Sequence, residues 1–257
     1  SPFLISMTAT GYTIGFTLSC LLTPKLVLRV GHIRVFGALL TLLTVSILAS
    51  ALIVEWQAWI AFRAVAGFGV AGCYLVIESW LNERVTNDTR GSVFSVYMMV
   101  TLGGAIGGQY LVPLGDPSTT TLFIICGMVF AVSVLPTALS TAQSPAPIAQ
   151  VQLGLGRLYS RSPVAFVGAI LAGILSGTWA SLGGVYTTES GFSTGQGATL
   201  LAFVLAGGAL GQIPIGRISD LTDRRYVMVA CGGLGVFAAL AMSTMTSETP
   251  YLLYGTA

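Results

Sequence analysis

A chain of 257 residues that is 54% hydrophobic and only 8% charged, with a mean hydropathy of +0.85, is too apolar to remain in water as one globular core. The net charge of +2 excludes a nucleic-acid-binding surface, because the basic residues sit at the edges of apolar runs rather than in one patch. Cys20, Cys73, Cys126 and Cys231 lie far apart inside apolar runs, which is neither a disulfide framework nor a metal spacing; they read as small packing residues.

A membrane-spanning helix needs about 20 mostly apolar residues. The first such run covers 3–22 and is expected to end at Pro24, before Lys25, Arg29, His32 and Arg34 in a basic loop. No basic segment precedes it, so it is not a cleavable signal peptide. The second covers 35–54 and reaches Glu55, with Trp56 and Trp59 suited to the water–lipid interface. The third covers 58–81 and ends near Glu83 and Arg84. Thr86, Asn87, Asp88 and Thr89 form a turn-and-cap cluster before a fourth run, 91–112, broken by Pro113, Gly115, Asp116 and Pro117. The fifth spans 121–139. Residues 142–162 differ in character, rich in Gln, Pro and Ala and ending in Arg157 and Arg161. The sixth, seventh and eighth runs cover 163–186, 197–215 and 226–245. The last apolar run, 250–257, would rise only about 12 Å. With no initiator Met before the first run, the chain reads as an internal fragment of about eight complete helices. The expected fold is all-α, a polytopic transmembrane helical bundle, with no β-barrel alternation.

Charge sign fixes the expected topology. Ten of the eleven Lys and Arg fall in every second gap between apolar runs, and the intervening gaps hold the acids Glu55, Asp116, Glu189 and Glu248. Short loops rich in Lys and Arg stay on the cytoplasmic side, so the basic gaps are expected inside.

The eleventh cation, Arg63, lies within the third run. It either snorkels to the interface or faces a polar cavity, where it would hold an anionic solute or tune a proton-carrying acid. Glu78, fifteen residues later and about 60° around the helix, has a structural reading as partner of Arg84 or Arg90. Gln109, Trp179 and Gln212 are further candidates for lining a cavity, each with a helix–helix hydrogen bond or packing as its plainer role. Many of the 32 glycines recur every three or four residues inside runs. Gly103, Gly104, Gly107 and Gly108, Gly168 with Gly173 and Gly177, and Gly207 and Gly208 with Gly211 are expected to form close helix seams, static or sliding.

At the end of the seventh run, Gly216, Arg217, Asp220, Asp223, Arg224 and Arg225 form the most specific motif. Asp220 suits a helix N-terminus, where a carboxylate is favoured. Gly-x-x-x-Asp-x-x-x-Arg-Arg in such a loop resembles the signature loop of the major facilitator superfamily. A degenerate copy lies between Pro24 and Arg34, keeping Arg29, Gly31, His32 and Arg34 but with Pro24 and Leu28 where the family usually has Gly and Asp. Aligning Pro24 with Gly216 separates the copies by 192 residues, the spacing of parallel six-helix repeats. The stretch from Arg63 to Gly69 resembles the family's fourth-helix motif, with Ala66 where Gln is common. The stretch from Gly103 to Gly108 resembles the fifth-helix motif of proton-coupled exporters, with Gly104 replacing its Pro. The segment Ile77-Glu78-Ser79-Trp80-Leu81-Asn82 and residues 211–225 resemble the YcaD-like bacterial transporters within that superfamily.

The resemblance covers the chain from the family's second helix to its early tenth. It implies an N-terminal half at 1–141 lacking its first helix, a cytoplasmic linker at 142–162 and a C-terminal half at 163–257. It implies a monomeric secondary transporter of a small solute in the bacterial inner membrane, working by alternating access and coupled to protons. The alternative is a transporter-fold sensor or scaffold without flux. Arg63 would face the central cavity with Gln109, Trp179 and Gln212. Arg29, Gly31, Arg34, Gly216, Asp220, Arg224 and Arg225 would form a conformational latch. No enzyme chemistry is expected: the one histidine is read as a loop residue, no metal or nucleophile spacing appears, and no cofactor is implied.

Overall fold

A computed structural model describes residues 2–86, 89–116, 119–139 and 155–244, and the chain is helical there, with no strand among the described residues. In chain order these are α1 (Pro2–Val30), α2 (His32–Leu52), α3 (Trp56–Arg84), α4 (Arg90–Gln109), a 3-10 turn at Val112–Leu114, α5 (Thr121–Ser133), α6 (Leu135–Ala138), α7 (Leu155–Arg161), α8 (Pro163–Glu189), α9 (Thr194–Leu221) and α10 (Arg224–Thr244). Seven helical stretches among them are long and apolar enough to cross a membrane: Phe3–Val30, His32–Leu52, Trp56–Arg84, Thr121–Ala138, Pro163–Glu189, Thr194–Gln212 and Arg225–Thr244.

Several boundaries differ from those read in the sequence. The first helix does not stop at Pro24 but runs through it to Val30. Lipid offers no water to a broken backbone, so the helix persists and gives up one hydrogen bond rather than several. His32 is not in a loop: Gly31, at φ 85°, is the sole residue between α1 and α2, and His32 opens α2. Only a residue without a Cβ adopts that backbone freely. The fifth run is divided at Val134, because Pro136 cannot donate to the Val132 carbonyl. Residues 142–154 of the expected linker and the terminal run 250–257 lie outside the described residues. Residues 155–161 form the short helix α7.

The chain divides into two compact units, Ser1–Phe94 with Asp116–Ser181, and Ser95–Gly115 with Leu182–Ala257. The first holds the tightest packing. Its core joins Val27 of α1, Val35, Leu39, Leu40 and Leu43 of α2, and Cys73 and Val76 of α3. Ser46 Oγ donates to the Phe62 carbonyl at 2.6 Å, a cross-helix bond between α2 and α3. Trp59 Nε1 donates to the Ile53 carbonyl at 2.8 Å, closing the α2–α3 turn, and its ring meets Phe123 of α5 edge-on at 6.0 Å. Gly127 of α5 abuts Leu48 of α2.

In the second unit, α8 ends at a glycine-capped turn, with Gly191 at φ 80° and the Phe192 N–H bonded to the Thr187 carbonyl. Ser193 and Gln196 then form a reciprocal capping box that starts α9. Gly197 of α9 lies against Thr187, and Tyr186 Oη donates to the Met242 carbonyl of α10 at 3.4 Å.

Candidate functional site

The site is built on the contact between α1 and α3, and glycine makes that contact possible. A Cβ on Gly11 would stand 2.7 Å from the Ile60 carbonyl oxygen. One on Gly15 would overlap the Ala64 backbone, and one on Gly67 the Tyr12 backbone. The order 11 to 60 and 15 to 64 makes the two helices parallel. Small residues let backbones approach to van der Waals distance, which drives association where burying apolar side chains gains nothing over lipid.

The other face of α3 is taken by α2, running antiparallel: Gly69 meets Leu43, Gly72 meets Leu39, and His32 reaches Ser79. At 100° per residue, Gly69 and Gly72 lie roughly 240° and 180° around α3 from Arg63. Arg63 therefore occupies the flank of the α1–α3 seam that faces away from α2. Tyr74, eleven residues on, falls within about 20° of Arg63 and about 16 Å further along the axis. Tyr12, from α1, is within electrostatic range of both Arg63 and Tyr74. Its ring also lies 6.2 Å from Phe16. Tyr12 is half-buried, while Arg63 and Tyr74 are exposed in the described structure. A guanidinium and two phenols thus share one open flank. None of the three has a hydrogen-bond or ion-pair partner among the described residues.

The basic end of the same unit carries a second polar junction. The His32 ring is fully buried, and Nε2 shares a 3.0 Å hydrogen bond with Ser79 Oγ, the donor set by the imidazole tautomer. Trp80 lies 6.3 Å away centre to centre, and Glu83 acts on the imidazole electrostatically. Arg29 closes α1, Gly31 makes the turn, and Arg34 stands in the first turn of α2, both arginines exposed. Glu78 is exposed six residues before the end of α3, Arg84 is its last residue, and Arg90 is the first of α4.

The remaining expected site residues are spread over both units. Trp179, on α8, is half-buried in the first unit. Gln109 closes α4 and Gln212 lies on α9, both in the second unit. Gly216 and Asp220 belong to α9, while Arg224 and Arg225 open α10; the side chains of Asp220 and Arg224 are outside what the structure describes. Asp223 proves to be the cap at this corner: its Oδ1 accepts from the Arg225 backbone N–H at 2.9 Å. Sequence reading missed Asp223 in that role, as it missed Tyr12, Tyr74 and the His32–Ser79 bond. The Gly11-x-x-x-Gly15 spacing around Tyr12 was the available signal for Tyr12.

An all-helical chain with seven candidate spans and a loop motif at a helix–helix corner defines a multi-pass membrane protein. The sequence profile of the Major Facilitator Superfamily matches residues 1–257, and the chain belongs to that family, one of membrane transporters and not of enzymes. It is similar to the MFS-type transporter YcaD of Escherichia fergusonii, 26% identical over 250 residues, which covers 96% of this chain and 65% of that protein. Similarity to the YcaD proteins of Salmonella arizonae, 25% over 251 residues, and Salmonella heidelberg, 26% over 257 residues, has the same coverage. The chain thus spans 65% of the length of these relatives. Their enterobacterial origin agrees with a bacterial inner-membrane location.

Proposed function

We propose that the whole protein is a secondary active transporter that moves a small solute by alternating access, coupled to protons. The observation that carries this reading is the match to a transporter family over the full chain, together with Arg63 on the open flank of α3. An arginine inside a spanning segment is costly, at about 2.5–3.5 kcal/mol at a helix centre, and is retained where it faces an aqueous or polar path. In this reading the halves are 1–141 and 163–257, joined by a cytoplasmic linker at 142–162. The solute meets Arg63, Gln109, Trp179 and Gln212. Arg29, Gly31 and Arg34 at one corner, and Gly216, Asp220, Arg224 and Arg225 at the other, hold the inward end closed.

Flux measured in vesicles carrying the full-length protein tests it. Arg63→Ala is expected to abolish gradient-driven movement while insertion into the membrane is unchanged. Wild-type flux in that variant would remove Arg63 from the mechanism, and absence of gradient-driven flux of any solute in the wild type would remove the transporter reading itself.

A further inference from the structure

Nine acids accompany Arg63 in this chain, and their positions are as informative as its own. Glu55, Asp88, Asp116, Asp223 and Glu248 fall outside the described helices, while Glu83, Glu189 and Asp220 stand at the last or next-to-last residue of theirs. Glu78 alone is set further in, on α3 itself, and it lies about 22 Å along the axis from Arg63. Arg63 is seven residues, or about 10 Å, inside α3 from its Trp56 end. No carboxylate of the first unit's described helices stands at its depth. On its flank are two phenols, Tyr12 within its electrostatic range and Tyr74 about 16 Å further along α3, that also lack hydrogen-bond partners among the described residues. The seam glycines fix where these groups stand, since Gly67 packs on the Tyr12 backbone one turn from Arg63.

A planar guanidinium, two O–H donors and the rings of Tyr12 and Phe16 on one flank make a chemically specific surface. The guanidinium offers a bidentate fork to an anionic oxygen group, the phenols add neutral donors, and the ring faces suit a flat apolar body. We propose that Arg63, Tyr12 and Tyr74 form the recognition site for a flat organic anion, an aromatic body carrying one carboxylate, sulfonate or phosphonate. This rests on the transporter reading given above and narrows its solute class. The anion supplies the negative charge that the first unit's described helices do not place beside Arg63. Tyr12 and Tyr74, about two to three turns of α3 apart in level, set the length of the solute that can touch both.

The test uses purified full-length protein in lipid nanodiscs and three probes of one shape: benzenesulfonate, trimethylphenylammonium and benzenesulfonamide. Benzenesulfonate is expected to bind at least about tenfold more tightly than the cation or the neutral amide, the margin of a hydrogen bond to a charged group. Arg63→Gln should erase that margin, and Arg63→Lys should keep part of it. Tyr12→Phe should weaken benzenesulfonate binding by about tenfold or more, the range for one hydrogen bond to an anionic acceptor, while Tyr74→Phe should weaken only a longer aromatic sulfonate that reaches its level, both with unchanged melting temperatures. The proposal is overturned if the anion binds no better than its analogues, or if Arg63→Gln melts normally and keeps wild-type affinity. Should Arg63→Gln fail to fold, the lysine and phenylalanine variants decide alone. Flux of the two charged probes in proteoliposomes separates the two readings. Anion binding in a protein that moves no solute down any gradient leaves the site standing and sinks the transporter; gradient-driven flux of the cation, unaltered in Arg63→Gln, does the reverse.

Discussion

Glycine does opposite things in two parts of this molecule. Along α1 and α3, Gly11, Gly15 and Gly67 are spaces that the neighbouring backbone fills. Along α4, α8 and α9, Gly103, Gly104, Gly107, Gly108, Gly173, Gly177, Gly207 and Gly208 face open space, with nothing within 4 Å of where a Cβ would be. The spacing of small residues is similar in both regions, so spacing alone does not make a seam. What distinguishes α1–α3 is that small residues on one helix meet small residues or bare backbone on the other: Gly15 against Ala64, Gly67 against Tyr12.

The sharpest way to break this contrast is Gly15→Val. The Ala64 backbone leaves no room even for a Cβ, so the helices must part, at a cost above about 3 kcal/mol. Thermal unfolding of the full-length protein in detergent reads this as loss of a folded peak or a fall in melting temperature of many degrees; a wild-type melt would mean that the seam is absent. Next is His32→Phe, which keeps the ring and its contact with Trp80 but strands Ser79, with an expected loss of about 1–3 kcal/mol in the same assay. Ser46→Ala removes the bond to the Phe62 carbonyl, worth about 0.6–1.7 kcal/mol between membrane helices. The smallest effect belongs to Gly107→Ala: with nothing in reach, the change should lie within about 1 kcal/mol of zero and lean towards stabilisation through helix propensity. A marked loss there would reveal a helix from outside the described residues lying on that face.

Much of the fold was legible before any coordinates. Spans are written as apolar runs of sufficient length, and that signal survives whatever the neighbours do. Helix ends were less legible. Pro24 and Pro214 would punctuate a soluble helix, yet both sit inside helices here, because the cost of exposing backbone to lipid outweighs one missing N–H. Gly31 was legible as a turn, but the loop around it was read too wide, which left His32 looking like a solvated residue instead of a buried one.

Arg63 stood out in sequence because a guanidinium within a long apolar run has few reasons to be there. Tyr12 and Tyr74 did not, since tyrosine is at home in spanning helices; the eleven-residue spacing that sets Tyr74 on the flank of Arg63 was there to be read, but only the register of α1 against α3 brings Tyr12 to it. The glycine seams of α4, α8 and α9 were expected from spacing and have no partner among the described residues. Contact is a property of two helices, and a one-helix pattern carries half of it.

The single-residue turn at Gly31 has a mechanical consequence. With one residue as the entire strap between α1 and α2, and a buried imidazole bolting that corner to α3, these three helices have no slack to swing against one another. Any large displacement of one must drag the other two as a single plank, so a chemical tether between α1 and α2 should leave the protein's motions untouched.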